Sequence, residues 1–206
     1  MKKSFQKMVD GYQKFRQQYA EDQGSLMHAL SKQGQRPESM VVACCDSRVD
    51  PALILQCDPG DLFVVRNVAN IVPPYEKDSA HHGTSAALEF GICFLKVKHL
   101  ILLGHSQCGG IQALINAHNF PNNDFISNWV SILKVEDFCI KNPDEYAKQA
   151  LEQSYYNCLQ FPWIKDKLEK EKLLVHVWFF DIQSGQIFVY SPASKAYNAL
   201  GVKSVG

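Results

Sequence analysis

Residues 39–48 read SMVVACCDSR, an apolar run that ends abruptly in thiols and charges. An apolar run without polar alternation is how a strand buried on both faces reads, and such strands belong to parallel sheets covered by helices. A second stretch has the same make: HLILLGHSQCGG at 99–110, again an apolar run followed by metal-ligating side chains and a glycine pair. The first loop offers Cys44, and the second offers His105 and Cys108. Two thiolates and one imidazole form a three-ligand zinc set. Structural zinc sites close with four protein ligands, whereas catalytic ones keep three and leave a position for water. Ligands of open parallel sheets bind outside the carboxyl ends of the strands, where both loops fall, and neighbouring strands lie about 5 Å apart, so the two loops can share one ion.

Outward from these runs, the chain alternates between strand and helix. DPALIL (50–55) opens with Asp50 as a cap and Pro51 at the first helical position, and DLFVVRN (61–67) reads as a strand. After Pro73-Pro74 a helix is expected over 79–96, then the strand at 99–104, then a helix from Gly109. Further helices are predicted at 124–139, 143–160 and 161–171, with Pro143 and Pro162 where helices begin. KLLVHVWFFDIQSGQIFVYSP (172–192) reads as two strands around the Gln183-Ser184-Gly185 turn and is expected to supply an edge strand. The first 35 residues carry Phe5, Met8, Tyr12 and Phe15 at helical spacing, an arm with no core of its own. The predicted fold class is α/β: a mostly parallel β-sheet with an added antiparallel edge strand, flanked by helices, behind an N-terminal helical arm.

With 206 residues and 46% hydrophobic content, one domain over 1–206 is expected. The 21 basic and 21 acidic residues cancel without long blocks, which argues against nucleic acid or a membrane surface as partner and toward a small molecule. No stretch has the length of a membrane span, and the charged, helical start lacks the apolar centre of a signal peptide. The seven cysteines form an odd set without the spacing of a disulfide scaffold. Reduced thiols in a cytoplasmic protein are the expectation, most of them small buried hydrophobes such as Cys93 and Cys139.

Zinc carrying two thiolates acidifies water less than zinc on three neutral imidazoles, so the site needs further help. Asp46, two residues beyond Cys44, is placed to accept a hydrogen bond from a zinc-bound hydroxide, and Arg48 to fix Asp46 by bidentate contact. Gly109 and Gly110 permit a tight turn and close backbone approach, and the helix that they open faces an anionic product. The segment has neither the Lys-Ser/Thr ending of a P-loop nor a dinucleotide fingerprint, which disfavours nucleotides.

Taken together, C-x-D-x-R at 44–48, H-x-x-C at 105–108, DPALILQCDPGDLFVVRNVANIVPPY, GTSAALEFG and GHSQCGGI resemble the β-class carbonic anhydrases over most of the chain. The resemblance implies one zinc ion (Zn2+) per subunit on Cys44, His105 and Cys108, with Asp46 and Arg48 as a catalytic dyad. It also implies an obligate homodimer, extending to a tetramer or octamer, whose arm (1–35) packs on the partner. Gln35 aligns with a glutamine that reaches a neighbouring subunit's pocket, and Phe63 and Val68 align with pocket walls. Family members with a regulatory bicarbonate site carry Trp-x-Gly-Cys before the first ligand. Here Val41, Val42 and Ala43 precede Cys44, which places the chain with the plant-like, type I branch. His81 stands where plant-like relatives carry a cleft tyrosine; it reads either as a proton relay or as an exposed loop residue beside His82. The implied reaction is the reversible hydration of carbon dioxide to bicarbonate and a proton. Carbonyl sulfide or carbon disulfide hydrolysis, and a zinc-stapled protein without turnover, are the alternatives.

Overall fold

The computed structural model describes residues 3–78, 80–116, 125–134 and 142–201. Strand β1 (Ser39–Cys44) is flanked by β2 (Leu62–Asn67) and β3 (His99–His105), and β4 (Leu174–Phe180) lies beyond β3, all parallel. Antiparallel β5 (Ile187–Ser191) and β6 (Ala196–Ala199) complete the order β2-β1-β3-β4-β5-β6. The antiparallel extension therefore has two strands, and β6 rather than β5 is the edge. Four residues with alternating exposure are too short to stand out as a strand in sequence. From β1 the chain moves to one side, to β2, and then returns past β1 to build β3 and β4 on the other. The order reverses between β1 and β3, and the carboxyl ends of these two strands carry Cys44 and His105.

The two central strands, β1 and β3, are buried on both faces. Met40, Val42, Leu100, Leu102, Val177 and Phe179 point to the main core, which α7 (Pro143–Leu159) covers, while Val41, Ala43, Ile101 and Leu103 pack with Leu62, Trp178 and Phe180 on the reverse. Each fully buried large side chain contributes about 1.5–3 kcal/mol. Close approach of α7 to β3 requires glycine at 104, where a Cβ would lie 2.6 Å from Leu151 Cδ1.

Helix α1 (Lys3–Tyr19) buries no side chain, and Phe5, Met8, Tyr12 and Phe15 are exposed; α2 (Leu26–Gln33) follows, capped by Ser25. Asp50 caps α3 (Pro51–Leu55) as expected. The helix expected from 79 starts later, as α4 (Gly83–Glu89), because Asp78 accepts Ala80 N–H and pairs with the His82 ring and so turns the chain beforehand. It runs on as a π-helical turn (Phe90–Phe94), within which Gly91 presses on Met40. Helix α5 (Gly109–Ile115) begins where expected. Of the helix predicted at 124–139, the described residues contain α6 (Ile126–Val130) and a turn; positions 124 and 135–139, with Cys139, lie outside them. Helix α8 (Pro162–Glu169) starts at its proline. Among the described residues no helix is long and apolar enough to cross a membrane.

Replacing Gly104 with Ala must displace Leu151 in a filled core. Expected is a loss of about 1–3 kcal/mol, read as a lower urea midpoint with an unchanged slope.

Candidate metal centre

At the β1/β3 crevice the ligand atoms of Cys44, His105 and Cys108 all lie within 4.8 Å of one another, and the three residues are 4%, 1% and 3% exposed. The two sulfurs are 3.9 Å apart. Tetrahedral zinc with sulfurs at 2.3 Å would hold them at roughly 3.8 Å. His105 Nδ1 donates to the Ser106 carbonyl at 2.8 Å, which leaves Nε2 as a bare lone pair. Nε2 is buried and has no hydrogen-bond partner among the described residues. A buried acceptor aimed at two thiols has an obvious partner in a soft cation, and the donor set fits zinc. The Cys44 thiol is drawn well below its ordinary value, first by the hydrogen bond with Cys108, against burial, and further by His105. A buried thiol this ready to carry charge suits the same cation.

Asp46 is held just beside this group. Arg48 Nε donates to Oδ1 at 3.0 Å, Nη2 to Oδ2 at 2.7 Å, and the Arg48 backbone N–H to Oδ1 at 2.9 Å. This fork holds the Asp46 carboxyl well below the usual carboxylate range. Its Oδ2 stands 4.0 Å from His105 Nε2. Cys45, alternating along the chain, is exposed and turned away from the ligands.

Sequence reasoning missed the residue that shapes this loop. Arg66, near the end of β2, donates to the Cys44 carbonyl at 2.9 Å, to the Asp46 carbonyl at 2.8 Å and to Asp50 Oδ2 at 2.9 Å, tying three points of the 44–50 loop together. A lone arginine inside VVRN was the available signal, because a charge in an apolar run must find partners.

Val68 is brought to the centre. Asn67 ties the turn after β2 through Ile71 N–H and the Ile71 carbonyl, and Ala69 and Asn70 take positive φ within it. Gly110 then meets this turn so closely that a Cβ would fall 2.6 Å from Val68 Cγ1. At Gly109 a Cβ would meet nothing within 4 Å. The other expected pocket residues lie elsewhere. Phe63 is paired with Met40, four residues and roughly 13 Å before the Cys44 end of the sheet, and its ring lies tilted against Phe90 with centroids 5.8 Å apart. Gln35 is exposed on the segment before β1. His81 is exposed and lines a groove of about 710 Å³ with Pro73, Thr84, Trp129 and Lys134, a lining that includes none of the three metal ligands.

Comparisons with known proteins agree with this geometry. A family model described as carbonic anhydrase matches residues 39–187. A carbonic anhydrase of Synechocystis sp. is 31% identical over 196 residues, covering 90% of this chain and 70% of the relative. Beta carbonic anhydrase 3 of Arabidopsis thaliana is 34% identical over 197 residues, covering 87% and 74%. Among solved structures, the β-carbonic anhydrase CcaA superposes with a TM-score of 0.83 at 30% identity, covering 96% of this chain and 92% of that one. A tetrameric β-carbonic anhydrase of Sordaria macrospora gives 0.78 at 28% identity, covering 97% and 98%. The chain belongs to the carbonic anhydrase family. Within it, it is a β-class enzyme, a lyase that uses zinc.

His105→Ala and Cys44→Ala should each purify with zinc well below one per subunit by elemental analysis, while far-ultraviolet circular dichroism stays that of the parent.

Proposed function

We propose that this chain hydrates carbon dioxide reversibly to bicarbonate and a proton, with Cys44, His105 and Cys108 holding one zinc ion and Asp46 and Arg48 acting as the catalytic dyad. The observation that carries this reading is the Asp46 carboxylate, locked by three hydrogen bonds from Arg48 yet standing at the mouth of the Cys-His-Cys group. Zinc, when bound, supplies Lewis-acid activation of a water molecule near neutral pH. Asp46, held as an anion, accepts the hydrogen of the attacking oxygen and so aims a lone pair at the substrate carbon. Arg48 occupies both carboxylate oxygens and keeps Asp46 from closing the site as a fourth ligand. Val68 offers an apolar wall suited to an uncharged substrate, Gly110 lets the start of α5 pack against that wall, and Gly109 completes the turn into α5. The proton leaves to buffer or to His81.

An Asp46 kept off the metal group, with Val41 where a tryptophan marks the bicarbonate-regulated branch, supports the type I, plant-like assignment. The reading extends to assembly. We place the whole chain in one domain, 1–206, whose arm 1–35 lays its exposed apolar stripe on a partner subunit in an obligate dimer, extending to a tetramer or octamer. Gln35 and Phe63, remote from their own metal group, serve the partner's pocket in that arrangement. The tetrameric Sordaria relative supports it. A cytoplasmic location accords with the free thiols of the described cysteines.

Stopped-flow hydration on zinc-loaded protein tests the function, and fast turnover is expected. Asp46→Asn should keep one zinc per subunit but lower turnover by about 10–100-fold; full turnover in that variant would remove Asp46 from the mechanism.

A further inference from the structure

Two carboxylates outside the zinc set and the dyad converge on the short turn between His105 and Cys108. Asp181, directly after β4, accepts Ser106 Oγ–H at 3.0 Å, and Ser106 Oγ in turn accepts Ile182 N–H at 2.9 Å. Asp144, in the first turn of α7, accepts Gln107 N–H at 2.7 Å. Gln107 has φ 56°, a left-handed conformation that a side chain disfavours and that surrounding bonds must hold.

The Gln107 N–H and the Ser106 C=O belong to one planar peptide unit and point in opposite directions. The N–H end is held by Asp144, and the C=O end accepts His105 Nδ1–H at 2.8 Å. Metal-ligating histidines are ordinarily oriented by a carboxylate or carbonyl on their second nitrogen, which also raises their basicity. A carboxylate on the far end of the same peptide polarises that carbonyl further, because hydrogen bonds in series strengthen one another. The following carbonyl, that of Gln107, accepts Arg48 Nη2 at 3.1 Å, so the same turn also steadies the guanidinium that grips Asp46.

We infer that Asp144 is a positioning residue for the metal centre. It acts through the Ser106–Gln107 peptide on the His105 imidazole, and Asp181 locks that peptide in place through Ser106. The inference rests on the proposed zinc set, but it concerns how tightly and in what geometry His105 binds a metal, which is measurable without turnover.

The test compares wild type with Asp144→Ala, Asp144→Asn and Glu145→Ala. Two readouts are zinc affinity, by competition with a chromogenic chelator, and the visible ligand-field bands of the cobalt(II)-substituted protein. Glu145 sits in the same first turn of α7 and pairs with Lys148, so its loss removes similar helix charge without touching the peptide. Asp144→Ala is expected to weaken zinc binding about 10-fold or more and to shift the cobalt bands. Asp144→Asn keeps an acceptor oxygen but no charge, and is expected to fall between wild type and Asp144→Ala. Glu145→Ala should match wild type. Wild-type affinity and spectrum in Asp144→Ala would overturn the inference, as would equal changes in Asp144→Asn and Glu145→Ala. Where Asp144→Ala fails to fold, the isosteric Asp144→Asn decides alone, and wild-type values for it would overturn the inference. Absence of carbon dioxide hydration in the zinc-loaded wild type would defeat the proposed function while leaving the affinity and cobalt comparisons intact.

Discussion

Parallel pairing of β1 with β3 is the constraint on which the rest of the structure depends. It places the end of one apolar strand, carrying Cys44, beside the end of another, carrying His105, at the one position where the strand order reverses. Burying two thiols and an imidazole together is costly unless something offsets their lost hydration. The donor set points to a shared cation as the offset: an imidazole nitrogen without a partner among the described residues and a thiol drawn toward its charged form face one point, where a zinc ion would satisfy both. The apolar filling of both sheet faces allows this, since it holds the strand ends in register.

Around that point the loops are held by charged side chains rather than by regular structure. Arg66 gathers the 44–50 loop through two carbonyls and Asp50, Arg48 grips Asp46, and Asp144 and Asp181 hold the turn between the later ligands. Each of these comes from a different element, so the centre is stiff only when β2, β4 and α7 are all in place. Left-handed backbone at Ala69, Asn70 and Gln107 accords with a site in which local strain is held by its surroundings.

Much of this was legible before any coordinates. The two unbroken apolar runs announced buried parallel strands, and the chemistry just past each announced the ligands. The Asp50-Pro51 cap and the prolines at 143 and 162 marked helix starts that the fold keeps. Less legible were β6, whose four residues carry too little periodicity, and the late start of α4, which Asp78 imposes through local hydrogen bonds. Arg66 signalled only that a charge in an apolar run must find partners, and Asp144 signalled nothing, because their partners lie 16–22 and 37 positions away in sequence.

By itself, then, the sequence determined the α/β class, the Cys-His-Cys donor set and the Asp46–Arg48 pair, because hydrophobic runs, ligand chemistry and an i, i+2 carboxylate–guanidinium spacing are all local properties of the chain. Only the tertiary structure decided which strands became neighbours, that Phe63 and Gln35 lie away from their own metal group while Val68 and Gly110 meet beside it, and that one peptide plane links Asp144 to His105. Those outcomes depend on contacts between residues far apart in sequence, which exist only once the sheet has closed and α7 has settled on it.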